Sequence, residues 1–450
     1  VLAYVFAPRR GLLARGADRV VLTALPTLLG LLLLGGYGIA ATLVVTHGRD
    51  PLGLDASGRL ATSPWLELAR ELALTPVLVL PAAIAAGALL PAAGAALARG
   101  RADPGRRVGA VVLANGVGAT LGAVSASWVL GQRLAIHDGF RLLASLGVAG
   151  GAAVALLAAR GRARALGVVV PLGALTAALL CLPPALPRRL LLAAVGPRHQ
   201  TLVHYEEGRT ATISVIENQL NGERQLVINA VNEVTTRLVH DQSFALLGHL
   251  GPLLHPAPRR AVMICLGAGL SAGAVATHPL ERLDVVDLSS AVERGARHFA
   301  VENGGVLSDP VLRLHIDDGR RFLLDAPGAY DLAVIDSTHP KAVDSWILYT
   351  REFYALVRER LAPGGIVVQW VPLHGLSERE FKIIARTFLA ELPSATLWAN
   401  VGWETYGQVG YAKLVARRDG PVEIDLDRLE RRLAAPRVRA SLARYGLDEP

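Results

Sequence analysis

Five apolar runs, roughly 20–46, 72–98, 108–130, 142–159 and 165–186, dominate the first 196 residues and constrain the chain more than any other feature. About 20 residues at 1.5 Å per residue cross the hydrocarbon core of a bilayer, so each run is long enough to span it as a helix. The composition agrees. Apolar residues make up 52% of the 450, charged residues 19%, and the mean hydropathy is +0.38, too apolar for an ordinary soluble chain and incompatible with disorder as the main state. Pro76, Pro81 and Pro91 interrupt the second run. Gly109, Gly116, Gly118 and Gly122 line the third, where small residues would let neighbouring helices approach closely. Asn115, the one strongly polar side chain deep in a run, is expected to form an interhelical hydrogen bond, the alternative being an intramembrane functional site.

Charge divides along the same line. Residues 1–196 hold 18 Arg and 7 acidic residues, so this stretch carries +11 and the rest of the chain −3, giving the net +8. The positive residues sit in short loops between apolar runs, a pattern that sets membrane topology and not one that makes a nucleic-acid surface. Arg9, Arg10, Arg15 and Arg19 precede the first run; Arg99, Arg101, Arg106 and Arg107 follow the second; Arg160, Arg162 and Arg164 follow the fourth. Those loops belong on the cytoplasmic face. Five spans would then put everything after residue 187 on the opposite face, whereas Arg188, Arg189 and Arg198 and the chemistry below favour the cytoplasm. The expectation is a multi-pass cell-membrane protein, in contact with the lipid bilayer, whose C-terminal part faces the cytoplasm. Val1 in place of Met fits a non-standard start codon or a truncated fragment, and the first residues do not form a signal peptide. Cys181 and Cys265 supply neither a disulfide framework nor a zinc spacing, and no metal is expected.

The pattern changes near residue 199. Segments rich in β-branched residues at 201–205, 210–216 and 226–229, with a turn at Asn221-Gly222, predict a small antiparallel hairpin layer. After a helical stretch over 239–254, strands at 261–266, 283–288, 311–316, 330–336 and 366–371 alternate with amphipathic segments such as 290–300 and 350–360. Such alternation specifies a parallel sheet with helices on both faces. The expected organisation is a transmembrane helical region over 1–196, a β-hairpin subdomain with its linking helix over 197–256, and an α/β domain over 257–450.

Ligands in such sheets bind beyond the carboxyl ends of the strands, and here those ends share a pattern. The first is followed by Gly267-Ala268-Gly269, where absent side chains let the backbone approach a ligand. The second ends in Asp287, about twenty residues on, placed to accept both ribose hydroxyls of a nucleoside. The third ends in Asp317-Asp318-Gly319, where a carboxylate can take the exocyclic amine of adenine, and the fourth in Asp336-Ser337-Thr338-His339-Pro340. The competing explanation is that these aspartates are helix N-caps.

Together these residues resemble the polyamine aminopropyltransferases, spermidine synthase and its relatives, and most closely a bacterial branch with this domain fused behind a membrane region. The resemblance covers roughly 199–400 and rests on His199-Gln200-Thr201-Leu202, the glycine turn, Val286-Asp287, Ile316-Asp317-Asp318-Gly319, Tyr330-Asp331 through Pro340, and Leu348-Tyr349-Thr350-Arg351-Glu352-Phe353-Tyr354. The segment from Arg106 to Gly131, with Asn115, also resembles that branch. It implies an α/β Rossmann-like methyltransferase fold behind a β-hairpin subdomain, with decarboxylated S-adenosylmethionine as aminopropyl donor and an amine acceptor, in this family a polyamine. A homodimer is left open. Carried over, Gln200 would touch donor or acceptor, Gly267 and Gly269 would line the donor, Asp287 would take the ribose, and Asp317, Asp318 and Gly319 would hold the adenine. Asp336 would be the proton acceptor, and His339, Pro340 and Tyr349 would face the substrate.

Three positions depart from the family. His339 stands where the synthases carry a second carboxylate, Ala268 replaces the acid of the glycine turn, and Ser243-Phe244-Ala245 replaces a Tyr-His-Glu triplet. A neutral imidazole cannot hold a polyamine cation as a fixed negative charge does. The nucleoside end is retained while anchors for the aminopropyl and polyamine ends are missing. Lys341, Asp344, Trp346 and His374 are further candidates for the mouth of the site. Two alternatives therefore stay open: methyl transfer from S-adenosylmethionine on the same sheet, and a non-catalytic adenosyl-nucleoside sensor or transporter with a degenerate synthase domain.

Overall fold

The computed structural model describes residues 15–47, 64–98, 104–130, 134–158, 161–182, 185–195, 199–208, 210–229, 231–236, 238–326, 328–342, 345–373, 375–399 and 411–447. They fall into two compact units, one within residues 1–194 and one within 195–450.

The first unit is helical: α1 (Arg15–His47), α2 (Pro64–Ala98), α3 (Pro104–Ser125) continued by a π-helical turn at Ala126–Leu130, α4 (Ile136–Ala158), α5 (Gly161–Cys181) and α6 (Leu186–Val195). Leu- and Ala-rich sequence favours helix throughout. Among the described residues, Val108–Trp128, Ile136–Leu157 and Arg164–Arg188 are long and apolar enough to cross a membrane, while Ala24–Ile39 and Val79–Ala95 are shorter apolar helices. Large apolar side chains face outward, with Trp128 75% and Leu157 88% exposed, as on helices whose solvent is hydrocarbon. A small core of Leu34, Ala144, Val148 and Leu175 joins α1, α4 and α5.

The expected glycine packing occurs elsewhere. Around Gly109, Gly116, Gly118 and Gly122 of α3 an added Cβ would meet nothing within 4 Å. The close approach is between α1 and α4, where a Cβ on Gly30 would lie 2.5 Å from the Ala144 carbonyl oxygen and one on Gly147 2.7 Å from that of Pro26. Asn115 is exposed on α3, and no interhelical hydrogen bond to it is found among the described residues.

In the second unit, β1 (Gln200–Glu207), β2 (Thr212–Asn218), β3 (Arg224–Ile228) and β4 (Val231–Thr235) form an antiparallel sheet in chain order. A register shift between β3 and β4 pairs Leu226 with Val234 and Val227 with Asn232. Glu233 is thus the extra residue of a β-bulge, a device that re-aims a side chain.

Helix α7 (Leu238–Leu254) leads into a seven-stranded sheet. In chain order its elements are β5 (Arg260–Ile264), α8 (Leu270–Ala276), β6 (Arg282–Asp287), α9 (Ser290–Ala296), β7 (Leu312–Ile316), α10 (Gly319–Asp325), β8 (Tyr330–Ile335), α11 (Arg351–Arg360), β9 (Leu361–Pro372), α12 (Glu378–Glu391), β10 (Thr396–Ala399) and β11 (Tyr411–Arg417). The strand order is β10-β11-β9-β8-β5-β6-β7, with β9, β8, β5, β6 and β7 mutually parallel and β11 antiparallel to both β9 and β10. The wholly parallel sheet expected from the alternation is therefore a mixed one, the Rossmann-like, methyltransferase-like arrangement. Cores lie on both faces. One is built on Val215, Leu247, Met263, Val285, Val334 and Trp370, the other on Ile264, Ile335, Phe353, Tyr354, Phe388 and Leu414.

Helix α7 crosses α8 with almost no space between them: a Cβ on Gly248 would lie 2.2 Å from the Ser271 carbonyl oxygen. Gly248→Ala must separate two packed helices, and we expect a loss of about 1–3 kcal/mol, read as a lowered unfolding midpoint. An unchanged midpoint would show that the contact is slack.

Candidate functional site

The carboxyl ends of β8, β5, β6 and β7 meet through three hydrogen bonds just beyond the strands. The Asp336 N–H donates to the Ile264 carbonyl at 3.0 Å, the Cys265 N–H to that of Val286 at 2.8 Å, and the Asp317 N–H to that of Asp287 at 3.0 Å. Between them runs the turn from Cys265 to Gly269. Gly267 and Gly269 have φ of +54° and +81°, which glycine adopts without strain, and Cys265 has φ +70° without that freedom. A Cβ on Gly267 would touch only the Val234 side chain, at 4.0 Å, so the space in front of the turn is open to a ligand.

Asp287 organises that turn. One carboxylate oxygen accepts the Leu266 N–H and the other the Ser289 N–H, each at 2.9 Å. Burial pushes its pKa up and the Leu266, Ser289 and Gly267 amides pull it back, leaving it above the ordinary carboxylate range. A carboxylate has about four acceptor positions, so with three amides on it about one remains for another donor. Asp336 accepts the Ser271 hydroxyl at 2.8 Å. Burial pushes it up to about 7, against the Ser271 hydrogen bond and the charge of Lys413. The thiol of Cys265 is raised well above its ordinary value, first by burial and then by Asp287, Asp336 and Glu233. Cys265, partly buried, therefore lies within electrostatic reach of all three carboxylates.

The other anticipated residues divide. Asp318 caps α10, its carboxylate accepting the Arg321 N–H at 2.8 Å, so the N-cap alternative holds there. A Cβ on Gly319 would lie 2.6 Å from the Ile264 side chain, so this glycine is explained by packing on β5. The Asp317 carboxylate accepts the Asp318 N–H at 2.8 Å. His339 is buried, and its Nδ1 accepts the Lys341 N–H at 3.2 Å, tightening the loop through Pro340. Tyr349, also buried, donates to the Thr338 carbonyl at 3.2 Å and braces the same loop. Gln200 opens β1; its Oε1 is buried with no partner among the described residues. Lys341 is engaged by the Gly375 carbonyl at 2.7 Å and by Glu380 at 3.2 Å. Trp346 is exposed. Asp344 and His374 lie outside the described residues.

Two functional candidates were not anticipated. Glu233, at the β4 bulge, is pushed up to about 7 by burial and by the charge of Asp336. Lys413 in β11 is 1% exposed and donates to the Ser243 hydroxyl at 2.9 Å. Burial pulls it down to about 7, against the opposing influence of Asp336. A lysine inside the apolar run Tyr411-Ala412-Lys413-Leu414-Val415-Ala416 was the visible signal for the second. Among the described residues no group of three or more His, Cys, Asp or Glu could hold a metal ion.

Asp287 and Asp336 thus lie beyond the parallel strands of the sheet, beside an open glycine turn. Residues 243–386 match the spermine/spermidine synthase domain. A polyamine aminopropyltransferase of Korarchaeum cryptofilum is 27% identical over 257 residues, spanning 52% of this chain and 78% of the relative. One of Moorella thermoacetica is 25% identical over 237 residues, spanning 52% and 81%. The crystal structure of a spermidine synthase from Thermotoga maritima covers 55% of this chain and 88% of its own, at 18% identity and a TM-score of 0.42. Residues 243–386 thus carry a spermine/spermidine synthase domain, and the second unit is similar to aminopropyltransferase enzymes.

The shifted groups predict a pH signature. Folded Asp336 and Glu233 hold protons that an unfolded chain loses near pH 4, so their contribution to stability falls as the pH rises from about 4 to about 7. Lys413 acts oppositely: the unfolded chain keeps its proton to about 10.5, so its contribution rises from about pH 7 upward. In thermal unfolding, the melting temperature of Asp336→Asn relative to wild type should climb between pH 4.5 and 7.5. A difference constant across that window would contradict the burial described for Asp336.

Proposed function

We propose that this protein is a membrane-bound aminopropyltransferase that moves the aminopropyl group of decarboxylated S-adenosylmethionine to an amine acceptor, with Asp336 as the base. The observation that carries the proposal is the convergence of Asp287 and Asp336 on the open glycine turn. Asp287, with about one acceptor position to spare, suits a ribose hydroxyl, and Gly267 and Gly269 let the backbone approach the nucleoside. Asp317 lies at the neighbouring strand end for the base. Gln200, with its buried unpartnered oxygen, is a donor- or acceptor-side contact.

An alkylamine has a pKa near 10 and reaches the site protonated. It cannot attack carbon until that proton leaves. Asp336, ionised above about pH 7, takes it, which is the matched condition for a general base near neutrality. The nitrogen lone pair then forms the new N–C bond while the C–S bond breaks with its electrons onto sulfur. A positively charged sulfonium becomes a neutral thioether, and the acceptor's proton ends on the Asp336 carboxylate. His339, Pro340 and Tyr349 fix the loop that carries this base and lie on the substrate side. The apolar first unit is proposed to hold the enzyme in the cell membrane as a multi-pass anchor, with the second unit on the cytoplasmic face.

Asp336→Asn should abolish aminopropyl transfer, measured by mass spectrometry of amine products, while leaving adenosyl-nucleoside affinity within several-fold. Wild-type turnover in that variant would remove Asp336 from the mechanism. Tighter binding of S-adenosylmethionine than of its decarboxylated form would favour methyl transfer instead. The wild-type kcat/KM should rise with pH through an apparent pKa near 7 that belongs to the coupled Asp336, Glu233 and Lys413 group. For the anchor, alkaline carbonate washing should leave the chain in the membrane pellet; release into the supernatant would refute it.

A further inference from the structure

The hairpin sheet brings one acid to the end of the parallel strands. Glu233 is the extra residue of the β4 bulge, and its neighbour Val234 packs in the core that holds Phe244 and Trp370, with Tyr411 against it. Val234 is also the side chain that an added Cβ on Gly267 would meet. Tyr411 begins β11 and pairs with Pro372, the last residue of β9, so it stands at the edge where the parallel strands end. Its ring lies 5.5 Å from that of Trp370 and 5.8 Å from that of Phe244. Ile335 pairs with Gln369, which brings the next residue, Asp336, level with Trp370 and onto the same face of the sheet. Glu233 interacts electrostatically with Asp336, Cys265 and Tyr411, from the end of β8, the glycine turn and the start of β11. Among the described residues, no hydrogen-bond donor and no cation is found on its carboxylate.

We infer that Glu233 anchors the reacting ammonium of the acceptor, so that the amine docks between Glu233 and Asp336 with its methylene chain against the Tyr411 ring. The inference rests on the aminopropyl-transfer reading and names the acceptor contact within it. An ammonium carries three N–H donors, and Asp336 already accepts the Ser271 hydroxyl, so one carboxylate leaves part of the cation unmet. The loop after Asp336 adds no second acid, since Ser337-Thr338-His339-Pro340-Lys341 contains none. Asp287, the third acid near Cys265, already holds the amides of the turn. Glu233 is the remaining acid of the group, and it comes from a different sheet. Two buried carboxyls of like charge disfavour each other's ionisation, which is the condition of Glu233, pushed up to about 7 by burial and by Asp336. A cation set between them favours the ionised form of both. The aromatic ring beside the pair covers the alkyl chain and attracts the positive charge. On reaction the ammonium proton passes to Asp336, and the nitrogen forms the N–C bond as the C–S bond breaks with its electrons onto sulfur. Glu233 stays ionised throughout.

The test uses the full chain in lipid nanodiscs, saturated with 5′-methylthioadenosine, the adenosyl thioether that aminopropyl transfer leaves behind. 4-Aminobutanol, 1,4-diaminobutane and 1,4-butanediol are titrated calorimetrically into wild type, Glu233→Gln and Glu233→Asp. Wild type should bind both amines about tenfold more tightly than the diol, or better. Glu233→Gln should weaken both amines by a similar factor, about tenfold, while the diol and the nucleoside stay within about twofold. Glu233→Asp, which keeps the charge on a shorter stem, should fall between. The inference is overturned if wild type does not prefer the amines, if Glu233→Gln leaves amine affinity unchanged, or if all three ligands weaken together, as a packing role would require. Loss of the diamine alone would also overturn it, because Glu233 would then hold the distant ammonium and not the reacting one. Where Glu233→Gln fails to fold, Asp336→Asn decides: with Glu233 in place the amines should still bind several-fold more tightly than the diol, and loss of that preference would assign the anchor to Asp336 alone. Turnover with decarboxylated S-adenosylmethionine, scored separately, tests the underlying reading, so a working transferase insensitive to Glu233 refutes the anchor alone.

Discussion

The two backbone hydrogen bonds accepted by Asp287 are the constraint on which the site depends. They tie the end of β6 to the turn after β5 and hold Leu266 and Ser289 at fixed distances from one carboxylate. With that turn fixed, Gly267 keeps open space before it, α8 starts where Ser271 can meet Asp336, and Cys265 is held in a left-handed conformation it would not choose alone. Without the carboxylate, buried amide groups would lose their partner, a cost of about 1–3 kcal/mol for each unsatisfied group. Asp287 is therefore a structural residue before it is a ligand.

Burial then does the electrostatic work. A carboxylate in water is ionised far below neutrality, and a lysine is protonated far above it. Enclosing Asp336, Glu233 and Lys413 together brings all three toward pH 7 from opposite sides. The same partial enclosure strengthens charge interactions there, because they are screened less than at an open surface.

Much of this was legible in the sequence, for physical reasons that vary by element. The hairpin strands and the five parallel strands announce themselves through β-branched runs and turn residues, and the strand-end acids follow from where such sheets bind ligands. Three strands escaped. β4 contains Asn232 and Glu233, β10 is only four residues long, and β11 has Lys413 at its centre, so none shows the apolar pattern of a buried strand. Glu233 was invisible for a further reason: its aim comes from a bulge, which is a property of pairing with β3 and not of local sequence. Asp318 shows the converse ambiguity: its identity fits both a nucleoside contact and a helix cap, and the Arg321 N–H on its carboxylate establishes the cap. In the helical unit, glycine content pointed to α3, whereas close packing depends on which helix lies opposite, and that selected Gly30 and Gly147.

The bulge in β4 separates two things that a strand-end residue cannot. Asp287 and Asp336 are tied to the turn after β5 and to α8, and can hardly change without disturbing both. Glu233 stands on the edge strand of the antiparallel sheet, as the extra residue beside Val234, which packs in the main core. Removing that one residue would take its charge away while the strand-end acids kept their places in the parallel sheet. An insertion or deletion in that layer would therefore alter the rim of the turn before it altered the strand-end acids.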